Sequence, residues 1–141
     1  MPLTEFELIK KIFSQSVVTR SDTSISIGDD AAIINIPSGY HAVSTITQWI
    51  EGKDYSRKEP GFDTGKNLLF QALNDFNQQY TSANWMTLSI SLKTNDEEWL
   101  TQFSQGLLVN AEDKHIQLIG GDTSRGAEVL RLHIIGSEKT I

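Results

Sequence analysis

"WMTLSISL", Trp85 to Leu92, alternates without a break: Met86, Leu88, Ile90 and Leu92 fall on one side of an extended chain, Trp85, Thr87, Ser89 and Ser91 on the other. That period predicts a strand with one face in the core and the other wet or in an interface. The sequence on both sides predicts helices to cover the apolar face. Upstream, Pro60, Gly61 and Asp63 open a helix whose stripe is Leu68, Leu69, Ala72, Leu73 and Phe76, ending near Gln78 or Gln79. Downstream, Asn95 and Glu98 form a capping box that launches a helix through Trp99, Leu100, Phe103, Leu107 and Leu108 to about Lys114.

Farther out, Thr4 and Glu7 form another capping box, with Leu8, Ile9, Ile12 and Phe13 on one face of a helix to about Gln15. Ser24 to Ile27 and Ala31 to Ile36 read as strands around a Gly28-Asp29-Asp30 corner, and Pro37-Ser38-Gly39 as a turn returning into a strand, His41 to Ile46, as a hairpin. Ile116 to Ile119 reads as a short strand, Gly120 to Gly126 as a loop, and Val129 to Gly136 as a final strand. This order predicts an α+β fold, a mixed or antiparallel sheet with helices on one face, forming a single domain over residues 1–141.

A chain of 141 residues can bury about two-thirds of the surface its unfolded form exposes. Zero cysteines exclude a disulfide framework and thiolate metal sites. The start lacks the basic-then-apolar pattern of a signal peptide, and the longest apolar runs are too short to span a bilayer, so a cytoplasmic protein is expected. With 12 Lys and Arg against 18 Asp and Glu, the net charge of −6 disfavours nucleic acid and anionic membrane as partners. An anionic small molecule would need cations to bridge it.

"IGDDAAIINI", Ile27 to Ile36, places two like charges beside an apolar strand, a costly arrangement unless water or a ligand satisfies them. As bare chemistry, Gly-Asp-Asp is also a good turn. "GFDTGKN", Gly61 to Asn67, is not a P-loop: three residues separate its glycines where four are needed, and Asn67 stands where Ser or Thr would ligate magnesium. "IQLIGGDTSRG", Ile116 to Gly126, repeats the apolar-glycine-aspartate order, with glycines that allow positive φ or close approach to a ligand and oxygen donors at Asp122 and Thr123. His41, His115 and His133 are scattered singly and read as surface or strand positions.

"EFELIKKIF", "IGDDAAIINIP", "STITQWIEG", "ALND", "WMTLSISL", "WLTQFSQGL" and "QLIGGDTSRG", in this order and spacing, resemble the N-terminal domain of the thiamine-monophosphate kinase family, in the superfamily of aminoimidazole ribonucleotide synthetase. The resemblance spans nearly the whole chain. It implies ATP and magnesium as cofactors, phosphorylation of thiamine monophosphate to the diphosphate, and a second α/β domain that this sequence lacks. Asp30, Asp75 and Asp122 match the family's magnesium ligands, Ser44 and Thr45 match its serine-threonine ligands, and the backbone of Gly121 and Asp122 matches a nucleotide contact. Phosphoryl transfer rests on positioning and charge neutralisation, which suits scattered carboxylates holding phosphate-bound cations.

The departures are equally specific. Ile46 stands where the family has a bridging aspartate, Gln79 and Tyr80 replace a Met-Gly pair, and Asp54 falls where the family uses a histidine for substrate, beside a one-residue insertion in "TQWIEGKDY". The expected role is therefore the nucleotide and magnesium half of such a kinase, inactive or weak as an isolated chain. The alternative is a degenerate, non-catalytic module for binding and dimerisation. The resemblance also implies a homodimer in which the second face of the Trp85 to Leu92 strand meets its twin, since Trp85 is too apolar for solvent and the small hydroxyls permit close approach.

Overall fold

The computed structural model describes residues 20–25, 31–76, 81–94 and 96–140. The expected helix at Thr4, the Gly28 to Asp30 corner, and Gln79 and Tyr80 lie outside them. The described elements are β1 (Thr23–Ile25), β2 (Ile33–Ile34), β3 (Tyr40–Ile50), α1 (Gly61–Phe76), β4 (Thr81–Leu92), α2 (Glu97–Asp113), β5 (Gln117–Arg125) and β6 (Val129–Lys139). A four-stranded sheet runs β3-β6-β4-β5, antiparallel except for the parallel β4–β5 pair that α2 connects. The α+β class with a mixed sheet is thus observed.

Met86, Leu88, Ile90 and Leu92 of β4 lie in the core with Leu130, Leu132 and Ile134 of β6, all nearly inaccessible. Leu68, Leu69, Leu73 and Phe76 of α1 and Leu100, Phe103 and Leu107 of α2 cover them, so both helices pack on the same side. The helices touch backbone to backbone. A Cβ added to Gly65 would lie 2.1 Å from the Phe103 carbonyl oxygen, and one added to Gly106 would lie 2.0 Å from that of Phe62. The stretch that mimics a P-loop is therefore the first two turns of α1, with its glycines used for helix packing.

Three local expectations change. The Pro37–Tyr40 turn forms, with Tyr40 N–H donating to the Pro37 carbonyl and Gly39 at φ 86°, but it does not close a hairpin. β2 pairs with β1 over a few residues, whereas all eleven residues of β3 pair with β6, a partner of equal length that satisfies every ladder position. The cap of α2 is Asp96, whose carboxylate accepts from Trp99 N–H at 3.1 Å, while Asn95 lies outside the described residues. Asp96 stands three residues before that amide, and Glu97 and Glu98 follow in the first turn, where negative charge favours the helix.

β5 runs through the glycines to Arg125 instead of ending at Ile119. Gly120 and Gly121 pair with Thr87 and Leu88 in the strand, and neither has positive φ. A Cβ on Gly121 would lie 2.0 Å from the Leu88 carbonyl oxygen, so this glycine serves the strand pair; one on Gly120 would meet nothing within 4 Å.

His115, just past the Lys114 cap of α2, has φ 58°, and its N–H donates to the Glu112 carbonyl. A side chain is disfavoured in that left-handed position, so His115→Gly is expected to stabilise the chain by about 1 kcal/mol. A rise in the urea midpoint at constant slope checks it; no rise would show the helix end relaxes around the histidine.

Candidate functional site

Alternation and register place Ser44, Ile46, Gln48 and Ile50 of β3, Arg131, His133 and Ile135 of β6, Thr87, Ser89 and Ser91 of β4, and Asp122 of β5 on the sheet face away from the helices. One cross-strand row reads Gln48, Arg131, Ser89, Asp122, and Arg131 Nε donates to Gln48 Oε1 at 2.7 Å. The neighbouring row carries Ile46, His133 and Thr87. Partial burial pushes the His133 imidazole below its ordinary value, leaving it neutral at pH 7. Ile46 is 66% exposed.

Trp85 shares this face but is fully covered by its own chain. Its indole N–H donates to Thr23 Oγ1 at 2.8 Å, Thr23 donates on to Gln117 Oε1, and the Arg20 guanidinium lies 5.6 Å from the ring centroid. Arg20 is in turn held by both carboxylate oxygens of Asp22 and donates to the His115 carbonyl. The expectation that Trp85 needs a second copy for cover is corrected. Ile46, Ile50 and, at the start of β3, Tyr40 are the large apolar side chains of the described residues that remain exposed on this face.

The residues expected to hold metal fall into two groups. Ser44 and Asp122 are exposed on the helix-free face. Thr45 points the other way, and its Oγ1 is buried without a hydrogen-bond partner among the described residues. Thr47, also on the helix side, donates to Asp75 Oδ2 at 2.7 Å, and Gln71 donates to Asp75 Oδ1 at 2.9 Å. Asp75 itself is exposed in the last turn of α1. β3 and β5 are opposite edges of the sheet, three strand spacings or roughly 14 Å apart. Asp30 lies outside the described residues, and among those described no three His, Asp or Glu side chains converge on a metal position.

Divided in this way, the donors do not surround one ion; each group fits only a magnesium whose coordination is completed mostly by phosphate and water, not a cage built from protein alone. Asp54, in the turn after β3, is exposed, and its Oδ2 accepts from Ile50 N–H at 2.8 Å. One of its oxygens therefore shapes the turn that presents it.

The same turn is fastened by residues the sequence did not single out. Glu128, with its side chain 3% exposed, accepts from Tyr55 Oη at 3.0 Å, Arg57 Nη1 at 2.5 Å and Lys93 N–H at 3.0 Å. The Arg57 guanidinium stands 4.2 Å over the Trp99 ring, within a stack of Trp49, Tyr55, Trp99 and Phe103. Burial foremost, then the Glu128 charge, pushes the Tyr55 phenol far above its ordinary value, so it remains a donor. Arg57 and Glu128 are 71 positions apart, and no local pattern announces the pair.

Comparison with known proteins agrees with this architecture. The profile of a family described as "AIR synthase related protein, N-terminal domain" matches residues 28–137. Thiamine-monophosphate kinase of Escherichia coli (strain K12) is 34% identical over 138 residues, 96% of this chain and 42% of that protein. The crystal structure of thiamine-monophosphate kinase from Stenotrophomonas maltophilia K279a superposes with a TM-score of 0.81 at 32% identity, covering 99% of this chain and 44% of that one. The fold is shared with AaThiL complexed with AMPPCP and TMP, at TM-score 0.68 and 19% identity over 99% of this chain and 44% of that one. The chain spans about two-fifths of the length of the curated relatives it matches. Among the described residues no helix is long and apolar enough to cross a membrane.

Proposed function

The chain belongs to the AIR synthase related family, whose N-terminal domain it matches over most of its length, and from that premise we propose that it is the nucleotide- and magnesium-binding domain of a thiamine-monophosphate kinase. The supporting observation is at β3, where the buried Thr45 Oγ1 has no partner among the described residues, two positions from the Thr47 that holds Asp75. Thr45 and Asp75 on the helix side of β3, and Ser44 and Asp122 on the other face at opposite edges, would supply oxygens to separate magnesium ions, with Asp30 as a further donor, and the bound ions would neutralise phosphate charge during phosphoryl transfer. Gly120 leaves space at the β5 backbone where a nucleotide would meet Gly121 and Asp122. Thiamine monophosphate is the acceptor of the whole protein in this reading, with Asp54 at its edge. Such a domain works in the cytoplasm.

ATP is expected to bind weakly and only with magnesium, because net charge −6 opposes a bare polyphosphate. Replacing the exposed Ile46 by Asp should raise affinity about tenfold by adding a carboxylate. Calorimetric titration with magnesium and with EDTA checks this. Equal heats in both buffers would overturn the metal-bridged model.

The same reading includes a homodimer joined through the helix-free face, supported by Ile46 and Ile50 exposed beside small hydroxyls. Light scattering at micromolar concentration should give twice the chain mass, reduced to the monomer by Ser89→Arg. A monomeric mass for the unaltered chain would show that the face is solvated.

A further inference from the structure

We propose that Glu128 is a positioning residue, one that fixes the 51–57 turn and through it the carboxylate of Asp54. Three donors from two segments converge on its side chain: Tyr55 and Arg57 within the turn, and the Lys93 backbone just after β4. Its own carbonyl accepts from Glu51 N–H, so both ends of the turn are tied to one residue immediately before β6. Inside the turn, Gly52 N–H donates to the Tyr55 carbonyl and Ile50 N–H to Asp54. Locking Tyr55 therefore leaves Asp54 few positions.

A gain in stability does not account for this arrangement. A buried ion pair is often replaced by apolar side chains at no cost in stability, because desolvation of both charges offsets their attraction. What apolar replacements cannot reproduce is direction. A carboxylate accepting from a phenol, a guanidinium and an amide at once defines where each donor stands, and the Trp99 ring beneath Arg57 removes the remaining freedom of that side chain.

The functional consequence rests on the reading of Asp54 as a contact for thiamine monophosphate, and the test separates the two. In the triple variant Tyr55→Phe, Arg57→Met, Glu128→Leu, the melting temperature is expected to stay within a few degrees of the parent. Hydrogen exchange at Ile50 N–H and Gly52 N–H should then accelerate at least tenfold, with the core amides of β4 unchanged. Thiamine monophosphate binding, measured by calorimetry, should weaken at least tenfold, while magnesium-ATP binding changes less than twofold. Tyr55→Phe alone, which keeps the ion pair, should show the same directions with smaller size if the triple variant does not fold. Unchanged exchange in a folded variant overturns the positioning role. Accelerated exchange with unaltered thiamine monophosphate affinity, or a parent chain with no such affinity, supports the positioning role and overturns the reading of Asp54.

Discussion

Gly65→Ala is expected to destabilise the chain by about 3 kcal/mol, despite exchanging a poor helix former for the best one. The added methyl carbon would lie 2.1 Å from the Phe103 carbonyl oxygen and 2.9 Å from Leu107 N, both backbone atoms of α2 that cannot rotate aside. The helices must therefore separate, and the shared core beneath them, Leu68, Leu69, Phe103 and Leu107, loses contacts along its length. Asn67→Ala, on an exposed position of the same helix, is the control and should change stability by no more than about 0.5 kcal/mol. Urea unfolding monitored by circular dichroism reads both. Gly65→Ala at parental stability would mean that the two helices are not in backbone contact.

Glu128→Ala carries the other large effect, a loss of about 3–5 kcal/mol. It leaves Arg57, at 18% side-chain exposure, without its carboxylate and strips Tyr55 Oη and Lys93 N–H of their acceptor. An unpaired charge and orphaned donors cost more than the intact network contributes. The double variant Arg57→Leu, Glu128→Leu should recover most of the loss, because it removes the charge whose partner is missing. The coupling between the two sites, read from a double-mutant cycle, is therefore expected to be large. Additive losses would show that Arg57 and Glu128 act independently.

Elements whose signal is local were legible in the sequence. The alternation from Met86 to Leu92 put the same four side chains in the core that the fold buries, and the Leu68 to Phe76 stripe named the buried face of α1, since periodicity reports directly which side of an element avoids water. The family resemblance rested on short motifs spread along the chain and led to the same fold. Residues whose role depends on a distant partner were not legible. Trp85 reads as an apolar residue needing a second molecule, yet Thr23 and Arg20, more than sixty positions away, cover it.

The sequence by itself determined the class of the fold and the helix-facing side of β4, because both follow from side-chain type and near-neighbour spacing, while the candidate oxygen donors came from the family resemblance. Tertiary structure alone decided that β3 pairs with β6, that the Gly120-Gly121 stretch remains a strand, and that of the alternating neighbours Ser44 and Thr45 it is Thr45 that faces the helices. It also decided that the glycines of a false P-loop join two helices and that Glu128 gathers Tyr55, Arg57 and Lys93. The physical reason is common to these cases: backbone pairing and burial of polar groups are satisfied by whichever partner the chain brings within hydrogen-bond distance, and separation in sequence carries no record of that choice.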